Sequence, residues 1–232
     1  MNTDTIQVWH GNIDDDRYYK NYWRALDADE RVHAEKMKNN LLRNRYVVVR
    51  GSLRNILAEI LDEQPEKIRI KMAVHGKPYL ADYPELVFNL SHSAGAMVIA
   101  VSWNCRLGVD IECCKSRSGM AALVDKCFGV EEIAYWGGLP ESQKIPEFYR
   151  YWTRKEAFVK ATGRGIALGL DGCVINPESQ TAFLRVPSGY GPASDWHVLD
   201  LALGQDVCSA LVTDKAIVSV SLRKWNGLLK GQ

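Results

Sequence analysis

Two carboxylates stand two residues apart in segment 108–112, which reads Gly-Val-Asp-Ile-Glu. On a strand, Asp110 and Glu112 point to the same face because successive side chains alternate. Two carboxylates on one face repel each other unless water or a cation lies between them. Carboxylate oxygens are the ligands that Mg²⁺ and Mn²⁺ prefer, and Mg²⁺ commonly completes its shell with substrate phosphates. A solvated edge strand would show the same pattern, so both interpretations stay open.

A second group of charged residues follows a helical spacing in segment 151–165. Trp152, Glu156 and Lys160 fall on one stripe of a helix, with Lys155 beside it. A surface pair of Glu and Lys four residues apart would give the same pattern and stabilise the helix only slightly. The aromatic side chain on the charged stripe instead favours a partly enclosed polar site. Spacing alone excludes neither interpretation.

Two further segments carry groups that bind phosphate. A protonated His92 would donate well to phosphate, and Ser91 adds a hydroxyl and a backbone N–H. No GxSxG motif surrounds Ser91, so we expect no nucleophilic serine there. Gly76 and Pro78 dictate a turn that presents Lys77. A locally hydrogen-bonded loop and a surface turn would use the same residues, and both are ordinary structural features.

The elements that must position these residues follow from the hydrophobic pattern. Residues 6–10 alternate as in a strand, 18–38 have helical spacing, and 41–61 predict a long amphipathic helix with Gly51 as its weak point. Short strands are then predicted at 68–74, 86–90, 96–103 and 107–112. The intervening residues 104–106 are few enough to join the last two strands as a hairpin.

The second half repeats this order of helix and strands after a polar break at 113–119. Helices are predicted at 120–128 and 131–136, and a strong helix has Pro146 in its first turn, ends at about Thr162 and is capped by Gly163. Strands follow at 172–175, 181–186, 196–201, 207–213 and 216–222. We therefore predict an α+β fold of two pseudo-duplicated halves, 1–114 and 115–232. Each half packs a helix on a small, mainly antiparallel sheet, and the active site lies in the cleft between them.

The composition is that of a soluble globular protein, with 47% apolar residues, 25% charged residues and a formal charge of +1. A near-zero charge offers no basic field, so we expect neither nucleic acid nor membrane as a partner. No stretch approaches the ~18 apolar residues of a membrane span. The first six residues lack the features of a signal peptide, and the six cysteines form no CxxC pair. We expect reduced thiols and a cytoplasmic location.

Four motifs occur in the order and approximate spacing of one enzyme family, at residues 76–78, 88–93, 108–112 and 152–165. On these residues the chain resembles the Sfp-type 4′-phosphopantetheinyl transferases. The resemblance implies a monomer with two halves. It also implies transfer of the 4′-phosphopantetheine arm of coenzyme A to a serine of an apo acyl- or peptidyl-carrier protein. The second product would be adenosine 3′,5′-bisphosphate.

The resemblance also implies a role for each motif residue. Mg²⁺, with Mn²⁺ as the alternative, would be held against the pyrophosphate by Asp110, Glu112 and Glu156. Coenzyme A would be contacted by Lys77, Pro78, Ser91, His92, Lys155 and Lys160. Arg45 matches a basic position that the family uses for the ribose 3′-phosphate. Arg31 is the substitute for lysines that family members often carry before the long helix.

The catalytic roles follow from the same comparison. Glu156 is the candidate general base for the serine proton, with Glu112 as the alternative, and Lys160 would offset charge on the departing phosphate. Carrier docking is implied at 113–128, although a buried amphipathic helix would look the same. Two rival functions would use the same carboxylates: Mg²⁺-dependent hydrolysis of a nucleotide pyrophosphate, and non-catalytic binding of coenzyme A or a carrier. Which carrier is served stays open.

Overall fold

A computed structural model of the protein describes residues 5–179, 181–217 and 219–227, apart from the side chains of 166 and 167. Two predictions fall partly outside this part: residues 1–4, from the segment in which no signal peptide is expected, and residue 218, from the predicted strand 216–222. The fold is mixed α+β, as predicted. The first half of the chain forms β1 (Thr5–Asn12), α1 (Tyr19–Ala25), α2 (Ala28–Lys36), α3 (Asn40–Leu61), β2 (Ile70–Met72), β3 (Pro78–Leu80), β4 (Leu86–Ser93), β5 (Ala96–Trp103) and β6 (Leu107–Cys113).

The second half begins with three helices and continues with short strands. Its elements are α4 (Met120–Cys127), α5 (Val130–Gly137), α6 (Glu141–Thr162), β7 (Val174–Ile175), β8 (Phe183–Arg185), β9 (His197–Asp200), β10 (Val207–Thr213) and β11 (Ser219–Lys224). None of the helices in the described part is long and apolar enough to cross a membrane.

The two long helices each cover one sheet. Helix α3 packs its apolar face on the sheet with strand order β11-β1-β5-β4, and α6 packs on the sheet β6-β10-β9. A third apolar cluster lies between the sheets, where Val8 and Val98 of the first meet Val109 and Ile111 of the second. The sequence pattern predicts this arrangement because both helices carry an apolar stripe and both sheets carry alternating residues.

The helical spacing at 18–38 resolves into two helices because Asp27 begins a new one. Its side chain accepts the backbone N–H of Glu30, and the Glu30 side chain accepts the N–H of Asp27, which forms a capping box. Both carboxylates also bind the guanidinium of the fully buried Arg54 in α3. Gly51, predicted to weaken α3, instead lets α1 approach closely, because a Cβ there would lie 2.6 Å from the Cα of Tyr22.

The predicted hairpin of 96–103 with 107–112 is wrong. Strand β5 already has β4 on one edge and β1 on the other, so β6 has no free edge of β5 to join. Instead β6 crosses to the second sheet and pairs with β10. The tight turn at Ala94 and Gly95 makes β4 and β5 the hairpin. Strand β3, predicted only as a turn, pairs with β2.

Helix α6 begins earlier than predicted. It starts at Glu141, so Pro146 lies inside it and not in its first turn. Proline has no backbone N–H, so one helical hydrogen bond is lost at Pro146, in the second turn of the helix. The predicted end is confirmed, because Gly163 follows Thr162 in the left-handed conformation with φ of 73°.

The two halves exchange strands. Strand β6 of the first half completes the sheet of β9 and β10, and β11 of the second half pairs in parallel with β1. Each sheet therefore contains a strand from the other half. The division of the chain into halves 1–114 and 115–232 stays a prediction. In the structure, strands of both halves pair within each of the two sheets.

Gly108 sets the distance between β6 and α6. A Cβ at this position would lie 1.9 Å from the carbonyl oxygen of Ala157 and 2.5 Å from the backbone nitrogen of Ala161. Both are backbone atoms, so neither can move aside as a flexible side chain would. Only glycine permits this contact, which brings the carboxylate strand directly against the helix of Glu156 and Lys160.

We predict that Gly108→Ala lowers the free energy of unfolding by about 2 kcal/mol or more, because overpacking forces the strand and helix apart. Urea unfolding followed by circular dichroism measures the change. Gly137→Ala is the matched control, since a Cβ there meets no atom within 4 Å. It should be neutral or stabilising by about 0.5–1 kcal/mol. Equal stability of Gly108→Ala and the wild type would contradict the close contact.

Candidate functional site

A cleft of about 300 Å³ brings three of the predicted motifs together. It lies between α6 and the strands β3 and β4, beside the turn that joins β2 to β3. Its lining includes the predicted residues Lys77, Pro78, Glu156 and Lys160. Sequence positions more than eighty residues apart therefore contribute to one concave surface, which is the usual form of a small-molecule site.

Asp110 and Glu112 share one face of β6, as the alternation of the strand predicts; neither lines the cleft itself, but Asp110 bonds to Lys160, which does. Val109 and Ile111 point into the apolar core, while Asp110 is buried and Glu112 is half-buried on the opposite face. Ser91 donates a 2.8 Å hydrogen bond to Oδ1 of Asp110, and Ser93 donates a 2.7 Å bond to Oε2 of Glu112. The solvated edge strand is thus the wrong interpretation of these two carboxylates.

Lys160 supplies the main positive charge beside these carboxylates. Its Nζ lies 2.6 Å from Oδ1 of Asp110 and donates to Ser91 Oγ at 2.8 Å. Burial raises the pKa of Asp110, and the charge and hydrogen bonds of Lys160 and Ser91 oppose that rise. The other Asp110 oxygen, Oδ2, is buried without a hydrogen-bond partner. A buried carboxylate oxygen left in this way calls for a cation or a donor.

Glu156 adds a third carboxylate from α6, one turn before Lys160. Burial raises its pKa, and the neighbouring charge of Asp110 raises it further, with a smaller contribution from Glu112. The same two causes, burial and the charge of Asp110, act on Glu112 against its bond from Ser93. These shifts place the three carboxylates within electrostatic reach of one another.

The donor set fits a hard divalent cation. Asp110, Glu112 and Glu156 offer oxygen ligands only, their mutual repulsion favours positive charge, and Oδ2 of Asp110 lacks a partner. Within the described residues, no three His, Cys, Asp or Glu side chains are yet gathered into a metal-binding cage. Side-chain rotation would therefore have to accompany metal binding, while the backbones of β6 and α6 already lie in contact.

Further nitrogen-bearing side chains lie at the edge of the same site. Partial burial lowers the pKa of His92, and so do the charges of Lys160 and Arg45. Arg45 forms a two-pronged pair with Asp14, at 2.6 and 2.9 Å. The structure thus brings Arg45, His92 and Lys160 within electrostatic reach of one another, as expected of groups that receive several phosphates.

Two of the predicted coenzyme A residues use their polar atoms elsewhere. The stem of Lys77 lines the cleft, but its Nζ donates to the carbonyls of Leu107 and Ala161, each at 2.9 Å. Arg31 donates to the carbonyls of Trp23 and Arg24 in the last turn of helix α1. The structure does not bring Arg31 into the lining of the cleft.

The prediction of a phosphate contact for Lys155 is corrected. Each residue turns a helix by about 100°, so Lys155 faces away from the side that carries Glu156 and Lys160. Its Nζ is fully buried, 2.7 Å from Oε2 of Glu132, and donates to the carbonyls of Leu170 and Cys173. Glu132 also accepts the backbone N–H groups of Gly129 and Ile175. Lys155 therefore anchors α6 to α5 and to the loop before β7.

Sequence reasoning missed two kinds of contributor. Glu132 stands three residues after Gly129 and before an apolar run, a position from which a glutamate in the first turn of a helix can accept the backbone N–H of the N-cap residue, as it does here. Asn89 and Ser93 belong to the quoted motif at 88–93 but received no role. Their signal is the period of two that they share with Ser91, which places all three on one face of β4.

The comparisons with known proteins agree on one family. The sequence model of the 4′-phosphopantetheinyl transferase superfamily matches residues 106–212. The 4′-phosphopantetheinyl transferase HetI of Nostoc sp. is 34% identical over 169 residues, which cover 71% of either chain. The 4′-phosphopantetheinyl transferase psf-1 of Bacillus pumilus is 30% identical over 186 residues, 79% of this chain and 78% of the relative. The 4′-phosphopantetheinyl transferase Sfp of Bacillus subtilis is 27% identical over 142 residues, 60% of this chain and 62% of the relative.

The buried pair of Lys155 and Glu132 makes a stability prediction. Lys155→Met should lower the free energy of unfolding by about 3–5 kcal/mol, because it leaves Glu132 buried without its counter-charge. The double variant Lys155→Met with Glu132→Gln should recover part of that loss, since both charges are then removed while one of the two backbone N–H groups loses its acceptor. Urea unfolding of the three proteins measures this. If Lys155→Met kept normal stability but bound coenzyme A more weakly, the result would support the predicted contact of Lys155 with phosphate.

The buried amine of Lys77 makes a prediction about pH. Burial lowers the pKa of Lys77 to about 8 in the folded protein, from 10.5. Between these values the unfolded chain binds the proton and the folded protein does not, so stability due to Lys77 rises with pH. Relative to Lys77→Met, the wild type should gain roughly 2 kcal/mol from pH 8 to pH 10.5. A stability difference that is flat or falls over this range would contradict the assignment.

Proposed function

Because the chain belongs to the 4′-phosphopantetheinyl transferase superfamily, we propose a role for each group in its cleft. The enzyme transfers the 4′-phosphopantetheine group of coenzyme A to a carrier protein. The observation that supports the proposed roles best is that Lys160 pairs with Asp110 while Glu112 and Glu156 lie within electrostatic reach of both. This arrangement suits a reaction in which a dianionic diphosphate must be held and charge must move between its oxygens.

The acceptor is the hydroxyl of a serine in the carrier protein. Its oxygen attacks the phosphorus that carries the pantetheine arm, and the bond from that phosphorus to the bridging diphosphate oxygen breaks. The pantetheine phosphate is then esterified to the serine, and adenosine 3′,5′-bisphosphate leaves. Lys160 lies where its ammonium can offset the negative charge that collects on the departing phosphate.

Glu156 accepts the proton of the serine hydroxyl. Its raised pKa makes it a stronger base than an ordinary surface glutamate, and its half-buried position leaves it accessible from the cleft. Glu112 is the alternative base, but its carboxylate already accepts the hydroxyl of Ser93. We therefore assign proton transfer to Glu156 and a holding role to Glu112.

Asp110, Glu112 and Glu156 would hold Mg²⁺, or Mn²⁺ in its place. When bound, the ion would neutralise negative charge on the diphosphate oxygens of coenzyme A. His92 and Arg45 stand at the positive edge of the site and would receive the 3′-phosphate of the nucleotide, with Ser91 close to the diphosphate. The stem of Lys77 and the ring of Pro78 would flank the nucleotide, since both line the cleft.

Carrier docking is proposed on the exposed part of α4 and the segment before it. Val124 and Phe128 are buried in the second core and cannot contact a partner, whereas Met120 and Leu123 are partly exposed. The predicted docking stripe is thus half core and half surface. All residues proposed to bind coenzyme A come from one chain, which supports a monomer as the working form, and the cytoplasm stays its predicted location.

The activity is tested by incubating the protein with coenzyme A, Mg²⁺ and an apo carrier protein, followed by mass spectrometry of the carrier. Transfer predicts a carrier heavier by one phosphopantetheine group. Hydrolysed coenzyme A with an unchanged carrier would support a pyrophosphate hydrolase instead. No chemistry with any of a panel of acyl- and peptidyl-carrier proteins would support a binding protein. The panel also identifies which carrier class is served.

Glu156→Gln should lower kcat roughly 10²–10⁴-fold and leave the fold unchanged, because the amide cannot accept the serine proton. Steady-state kinetics with the apo carrier measure the effect, and circular dichroism checks the fold. Glu141→Gln is the matched control on the exposed first turn of the same helix and should keep normal turnover. Near-normal kcat in Glu156→Gln would move the base to another residue, and Glu112→Gln is then the variant to compare.

A further inference from the structure

Strands β4 and β6 face each other as the outer edges of two different sheets. Strand β4 ends the sheet β11-β1-β5-β4, and β6 begins the sheet β6-β10-β9. Contacts from β4 at 89, 91 and 93 reach β6 at 109, 110 and 112 in the same order, so the two strands run in one direction. The two sheets thus meet where β4 lies beside β6, and we call this contact the seam. In the described part of the chain, the hydrogen bonds across the seam involve side chains of β4.

Part of this seam replaces a backbone ladder. Oδ1 of Asn89 accepts the backbone N–H of Val109 at 2.8 Å, and Oγ of Ser93 accepts the backbone N–H of Cys113 at 3.4 Å. In a continuous sheet, carbonyl oxygens of a neighbouring strand would accept these N–H groups. The side chains of β4 therefore fix the register of β6 while they keep the two sheets separate.

The remaining seam contacts go to the two carboxylates and not to the backbone. Ser91 donates to Oδ1 of Asp110, and Ser93 donates to Oε2 of Glu112. A hydroxyl can donate one hydrogen bond and still accept others, so Ser93 can bind Glu112 and the N–H of Cys113 together. Each serine holds one carboxylate oxygen and leaves the other oxygen of the same group for a different partner.

These contacts have the geometry of a support for ligands. Asp110 Oδ2 is buried and has no hydrogen bond, although its sister oxygen is bonded to both Ser91 and Lys160. The backbone carbonyl of Asp110 is fixed as well, since Ser209 of β10 donates to it at 2.6 Å. Fixing one oxygen and the backbone of a carboxylate restricts its rotation and sets the direction of the free oxygen.

We infer that Ser91 and Ser93 are positioning residues that orient Asp110 and Glu112 toward one cation. The inference rests on the proposed function, because it assumes that these carboxylates hold a metal ion. Ser91 also touches Lys160, so its removal would disturb two partners at once. Among the charged groups of the site, Ser93 is hydrogen-bonded to the Glu112 carboxylate and not to Lys160. Its replacement therefore tests the effect on one carboxylate.

The test measures Mn²⁺ binding directly, by the electron paramagnetic resonance signal of free Mn²⁺ in the presence of coenzyme A. Ser93→Ala should weaken Mn²⁺ binding about fivefold or more, since it removes one hydrogen bond to a charged ligand. Ser93→Thr keeps the hydroxyl and should bind nearly as the wild type does. Ser102→Ala, in the buried part of neighbouring β5, is the matched control and should leave binding unchanged.

A double-mutant comparison separates orientation from a general structural effect. If Ser93 acts through Glu112, Ser93→Ala should cost little further Mn²⁺ affinity in a Glu112→Gln background. The same fivefold loss in that background would overturn the inference, and so would wild-type Mn²⁺ affinity in Ser93→Ala. If Ser93→Ala does not fold, Ser93→Cys replaces it, because a thiol has similar size but donates poorly. Ser93→Cys is then expected to show the fivefold loss, and unchanged affinity would overturn the inference.

The wild-type measurement tells the two proposals apart. Absence of Mn²⁺ binding by the wild type would contradict the metal site of the proposed function. Normal binding by the wild type together with unchanged binding by Ser93→Ala would contradict only the role of Ser93.

Discussion

Repulsion among three carboxylates is the constraint on which the site depends. Folding carries Asp110, Glu112 and Glu156 out of bulk water, burial raises the pKa of each, and the charge of Asp110 raises those of Glu112 and Glu156 further. A single ammonium, that of Lys160, compensates only part of this charge. An anionic diphosphate would add to the repulsion, and the proposed cation would offset it. This charge balance supports the metal site proposed for the enzyme.

Carboxylates that repel one another need a rigid backbone to hold them together. Helix α6 provides it through contacts on two of its sides. One side carries Glu156 and Lys160 to the cleft, while the other buries the pair of Lys155 with Glu132 in a fully hydrogen-bonded setting. Against the same helix, Gly108 lets β6 approach without a side chain between the two backbones. The carboxylates proposed to bind the cation thus belong to two elements whose separation is set by backbone contact, which leaves little freedom for these backbones to move apart.

The sequence predicts the elements better than their partners. Periodicity identifies α3, α6 and the alternation of Asp110 with Val109, because these signals are local. It fails for the hairpin of β5 with β6, since the choice of a neighbouring strand depends on edges that β1 and β4 occupy from elsewhere in the chain. The same limit explains Lys155: motif matching shows its position in the family pattern, but only the packing of Glu132 shows which way it faces.

The central claim is that side chains from β6 and α6 meet at one cation. A crystal structure of the protein with Mn²⁺ and coenzyme A, with the anomalous signal of manganese recorded, tests this directly. The account predicts a single Mn²⁺ at roughly 2.0–2.3 Å from oxygens of Asp110, Glu112 and Glu156, and also in contact with diphosphate oxygens. A manganese ion bound by only one of the three carboxylates, or located outside the cleft, would contradict it.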